Sequence, residues 1–170
     1  MEQDKSDESS EPHVCGLEGL KKDYGELKGK YELPEFSELN ELFEVEDIES
    51  CETEFLIRKI RRVISDKIAG YLKFVETVLN PSNAPMFFFK MIKKLDSNDK
   101  EILTGIYEEL GGFEIEIIKL DLNYSESGEG EFIKKVFKRF DMIRKQLSKI
   151  VDKLGNGPGI DKNNSVSYFG

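Results

Sequence analysis

Leu103, Ile106, Leu110, Phe113, Ile117, Leu120 and Tyr124 recur at alternating steps of three and four, and Ile133, Val136, Phe140, Ile143, Leu147, Ile150 and Leu154 repeat the pattern. Side chains on a strand repeat every two residues and cannot gather these positions on one face, whereas an α-helix aligns them into a seam. Each run therefore reads as a long amphipathic helix that must bury its seam against a neighbour lying at a shallow angle. A third stripe, broader and less regular, runs through Leu56, Ile60, Val63, Ile64, Ile68, Tyr71, Leu72, Val75, Val78 and Leu79. Residues 53–79 thus form a third long helix, ended by Asn80 and Pro81, because proline pushes the residue before it away from the α region.

Three such helices predict an all-α fold, an antiparallel helical bundle completed by one or two short helices. "FSELNELFEVEDI" places Phe36, Leu39, Leu42 and Phe43 on one face of a short helix. "NAPMFFFKMIKKL" supplies another, running to about Leu95, with Ser82 or Asn83 as its cap and Pro85 in its first turn. Ser97 is the expected cap of the next helix, with Asp99 and Glu101 complementing its dipole. Gly111 and Gly112 fall inside that helix, at a cost of about 1 kcal/mol each relative to alanine, and so predict a kink, a close crossing or a break. "SESGEGE" reads as the turn before the last helix.

A chain of 170 residues suits one domain, here residues 34–154, and 38% hydrophobic residues suffice for a single core. Residues 1–54 hold 18 of the 34 acids and 5 of the 25 bases, which leaves 16 acids and 20 bases beyond them. The opening stretch, "MEQDKSDESSEPHVCG", has no apolar period, and Gly16, Gly19, Gly25 and Gly29 extend it, so residues 1–33 are expected to be a disordered acidic arm. Gly155, Gly157, Pro158 and Gly159 likewise predict a flexible tail over 155–170.

Net charge of -9 argues against general coating of nucleic acid. No apolar run approaches the roughly 20 residues that span a bilayer. Cys15 and Cys51, with no signal peptide before them, fit a reducing cytoplasm. One histidine, His13, and two cysteines cannot fill a four-ligand zinc site. Phosphate-binding loops, nucleophile elbows and Ser-His or Cys-His partnerships are missing from the periodic region, and the seams are apolar. The expectation is a non-enzymatic protein with no cofactor and a protein partner.

Two surfaces within the bundle are candidates for contact. On the Phe-rich helix, Phe88, Met91, Ile92 and Leu95 share the side that faces the bundle, while Met86, Phe87 and Phe89 remain as interface anchors. They are covered either by the acidic arm or the "FSELNELF" helix, or they form a docking groove or a homodimer face. "RKIRR" gathers Arg58, Lys59, Arg61 and Arg62. A nucleic-acid site needs them uncovered, and Glu54, four residues before Arg58, favours a paired, structural patch instead.

The chain ends in Tyr168, Phe169 and Gly170, which resembles the C-terminal tails by which proteasome-docking proteins enter pockets of the core particle. That resemblance implies that the Gly170 carboxylate meets a lysine while an aromatic ring fills an apolar slot, although Phe169 lacks the hydroxyl of the usual tyrosine. "LNPSNAPMFFF", taken with the "YFG" ending, resembles an archaeal-type family of uncharacterised all-helical proteins. It implies a cytoplasmic prokaryotic setting and no catalytic residue.

Overall fold

The computed structural model describes residues 16–48, 55–83 and 85–155, the side chains of Asn83 and Phe87 excepted. Among the described residues there are six α-helices and no strand. These are α1 (Leu17–Tyr31), α2 (Phe36–Phe43), α3 (Leu56–Leu79), α4 (Met86–Ile92), α5 (Ser97–Leu122) and α6 (Glu126–Gly155). The all-α bundle of three long helices is as expected. His13, Cys15, Cys51, Glu54 and the C-terminal Tyr168, Phe169 and Gly170 all lie outside the described residues.

Pairings across the bundle set the helix directions. Residues 123–125 alone join α5 to α6, so the two must run antiparallel, and Lys153 meets Asp99 at one end while Lys135 meets Glu116 near the other. Arg61, early in α3, bonds Asp121, late in α5, and Glu129, early in α6. Helix α3 is therefore antiparallel to α5 and parallel to α6.

Both seams close on this core. Leu103, Ile106, Leu110, Phe113 and Ile117 of α5 are buried, as is every seam position of α6 from Ile133 to Leu154. They meet Ile57, Ile60, Ile64, Ile68, Val75 and Val78 of α3. The α5 seam ends early, since Tyr124 is 37% exposed.

The acidic arm needs correction. From Leu17 to Tyr31 the chain is helical, and Leu20, Tyr24 and Leu33 are buried. Tyr24 packs edge-on against Phe36 of α2 at 5.3 Å and donates its hydroxyl hydrogen to the Pro34 carbonyl at 2.8 Å. Burial, with help from Glu35 and Glu38, pushes that hydroxyl's pKa up. Tertiary anchoring thus overrides the weak helix propensity of Gly25 and Gly29. The C-cap, Glu32, accepts a left-handed backbone at φ 55° to let the chain turn into Leu33.

Three local readings also change. Asp96, not Ser97, caps α5: its side chain accepts from Asp99 N–H at 2.9 Å while Asp99 accepts from Asp96 N–H at 3.1 Å, a reciprocal capping box. Residues 81–83 form a short 3-10 turn, and Pro85 stands at the N-cap of α4, which stops at Ile92. "SESGEGE" is largely the first turn of α6 rather than a loop. A Cβ on Gly130 would lie 3.0 Å from Tyr31 of α1, and one on Gly128 only 2.9 Å from Leu120, so these glycines admit α1 and α5 to the start of α6.

Gly111 and Gly112 do not break α5, which is continuous from Ser97 to Leu122. At these positions, and at Gly105, an added Cβ would meet no atom within 4 Å, so packing inside the chain does not require them. Gly105→Ala is expected to raise stability by about 1 kcal/mol through helix propensity alone. Urea unfolding should show a higher midpoint at unchanged slope.

Candidate interaction surfaces

Helix α4 sits on the connection between α3 and α5. Ile92 and Leu95 are buried, and Phe88 and Met91 pack against the core from its edge. The turn that seats those residues carries Met86 and Phe89 outward: Met86 is 82% exposed and Phe89 37%. Met86 is thus left uncovered by the described elements, and Phe89 is covered only in part. The Phe87 side chain lies outside what the structure describes. Two apolar side chains left in water beside Lys90 and Lys93 form a small anchor surface of the kind that protein contacts use.

The basic patch divides. Arg62 is exposed and Lys59 half-buried, but Arg61 is 2% exposed and points into the bundle. Its Nε donates to Glu129 at 2.8 Å, and its Nη2 donates to Asp121. Glu129 is wholly buried, so this is a charge pair in the core rather than on the surface. Burial works against the Arg61 cation, but the bonds to Glu129 and Asp121 more than offset it and raise its pKa. Burial likewise pushes the Asp121 carboxyl up, while the charges and hydrogen bonds of Arg61 and Arg58 hold it below the usual carboxylate range. Arg58 lies 3.6 Å from Asp121 and 5.2 Å from the centre of the Tyr124 ring.

Apolar periodicity hid this network, although a signal was present. Arg61 is in phase with Ile57, Ile64 and Ile68, and Glu129 stands one seam step before Ile133. A charged residue in seam phase on each of two helices is the mark of a pair across a core. Asp99, one step before Leu103, is another buried charge in seam phase, and it meets the half-exposed Lys153, whose hydrogen bond lowers the Asp99 pKa.

A groove of about 800 Å³ runs between α5, α6 and the turn after α1. Its acidic wall, with Glu109 and Glu116, faces a basic one, and Arg139 pairs with Glu109 while Lys135 pairs with Glu116. Opposed charges that hold each other across the rim act as struts between helices. Among the described residues no cluster of His, Cys, Asp and Glu is arranged to hold a metal ion, and no helix is long and apolar enough to cross a membrane.

One surface escaped sequence reasoning altogether. Tyr107, Ile115, Ile118 and Leu122 of α5 are 39%, 55%, 51% and 75% exposed, on the side turned away from its seam. Their spacing of eight, three and four made a second stripe legible, but the stronger seam on the same helix masked it. No protein-family model, curated protein or solved structure matches this chain.

Proposed function

We propose that this protein is a non-enzymatic interaction module of the cytoplasm, a helical scaffold that presents anchor residues to a protein partner. The observation that carries the reading is helix α4, which is anchored by Ile92 and Leu95 while Met86, at 82% exposure, and Phe89 face water. Exposed aromatics and methionine on a rigid support are favourable anchors, because their side chains bury much apolar area and are enriched where proteins meet. The pairing of Arg139 with Glu109 and of Lys135 with Glu116 supports a structural use of the groove charges over acid-base work.

On this reading Tyr168, Phe169 and the Gly170 carboxylate form a second contact, directed at a proteasome-like ring. Nucleic acid is the weaker alternative, because Arg61 serves the core, Arg58 engages Asp121 and Tyr124, and of the four cations only Arg62 is exposed. The test is capture of purified proteasome core particle by intact protein, by protein lacking the last three residues, and by Met86→Ser with Phe89→Ser. Tail deletion should abolish capture and the α4 variant should weaken it, both with unchanged helicity. Equal capture by all three proteins would remove both contacts from the account.

A further inference from the structure

The exposed stripe of α5 has a property that a single chain does not use. Read outward from Gly111, it passes Ile115, Ile118 and Leu122 in one direction and Tyr107, Thr104 and Lys100 in the other, in steps of four, three and four both ways. The spacing is a palindrome. Every member but the half-buried Gly111 is exposed, and a Cβ on Gly111 would meet nothing within 4 Å. The centre of the stripe is therefore the one place where another backbone could approach closely without displacing a side chain.

We infer that two copies of this chain pair through α5, antiparallel about a two-fold axis at Gly111. Residues equidistant from Gly111 then face each other across the seam. Tyr107 meets Ile115 of the other copy, Thr104 meets Ile118, and the apolar stem of Lys100 lies along Leu122 while its ammonium stays in water. Each aliphatic side chain of one copy is covered by a longer or smaller polar-tipped side chain of the other.

Charge selects this direction. Along the flanks, where residues on the same side of the stripe meet with a small offset, antiparallel pairing brings Glu101 within one turn of Lys119 and Lys100 within one turn of Asp121, each twice by symmetry, while Glu101 and Asp121 fall on opposite sides of the seam. Parallel pairing in register would instead set Lys100, a member of the stripe, against Lys100 of the other copy, and these repel. Glu101, Lys100 and Lys119 are all exposed and Asp121 is 48% exposed, so these contacts need no rearrangement of the bundle. The surface is distinct from α4.

Sedimentation equilibrium of the full chain tests the inference. The expected mass is twice 19.5 kDa in the micromolar range. Ile115→Glu with Ile118→Glu should raise the dimer dissociation constant more than tenfold and leave circular dichroism unchanged, because both residues are exposed. Lys119→Glu should weaken the dimer, and adding Glu101→Lys should restore it, a rescue that parallel pairing does not provide. With Cys15→Ser and Cys51→Ser, Gly111→Cys should give a reducible cross-linked dimer on mild oxidation, and Lys149→Cys should not. Met86→Ser with Phe89→Ser should remain dimeric, which separates this result from the fate of the α4 surface. A monomer from micromolar to millimolar concentration would overturn the inference, whether another segment of the chain covers the stripe or nothing does. A dimer indifferent to Ile115→Glu and Ile118→Glu, or lost only in the α4 variant, would overturn it as well.

Discussion

Arg61→Ala is expected to destabilise the bundle by about 3–5 kcal/mol, the usual penalty for removing one member of a buried ion pair. The cost comes mainly from what is left behind. Glu129 is fully buried, and Arg61 Nε is the one hydrogen-bond donor to its side chain among the described residues, since the second carboxylate oxygen has none. Without the guanidinium, the carboxylate must stay charged in the core or take up a proton, and both penalise the folded state. Arg61→Met combined with Glu129→Leu should recover most of the loss, because an apolar pair of similar volume needs no solvation. Urea unfolding of the three proteins distinguishes the cases. An Arg61→Ala protein as stable as the parent would mean that Arg61 does not serve the core, and would return it to the basic surface patch.

Phe140→Ala should cost a comparable amount, about 3–5 kcal/mol, through the cavity left by a large buried ring. Phe140 is fully buried and holds two elements at once. Tyr71 of α3 stacks on it at 5.3 Å with an interplanar angle of 8°, and Phe43 of α2 lies against it at 4.7 Å. Its removal should therefore loosen α2 beyond the average destabilisation. Hydrogen exchange checks this: amides of residues 36–43 should lose more protection than those of 103–117. Uniform loss across both segments would show that α2 does not depend on this ring for docking.

Much of the bundle was legible because helical periodicity is local. The steps of three and four from Leu103 to Ile117 and from Ile133 to Leu154 each require only one helix to exist, and every one of those positions is buried. The limits of α3 at Leu79 and of α6 near Gly155 followed from proline and glycine, whose backbone effects act within a residue or two. For the same reason the division of the Phe-rich helix could be read in advance, with Ile92 and Leu95 inward and Met86 and Phe89 outward.

What sequence reading missed depends on contacts between distant residues. Leu17–Tyr31 looks too rich in glycine and charge to hold a helix, and it does so because Leu20 and Tyr24 are buried where α1 packs on α2, α3 and α6. Arg61 and Glu129 are 68 residues apart, and only the register of α3 against α6 decides that one meets the other instead of water. The glycines at 128 and 130 read as a turn until Leu120 and Tyr31 are seen against them. By itself the sequence determined which faces must be hidden, since apolar area repels water wherever it stands. Only the tertiary structure decided what hides each face, and so which ones are left over, because that depends on the alignment of whole helices with one another.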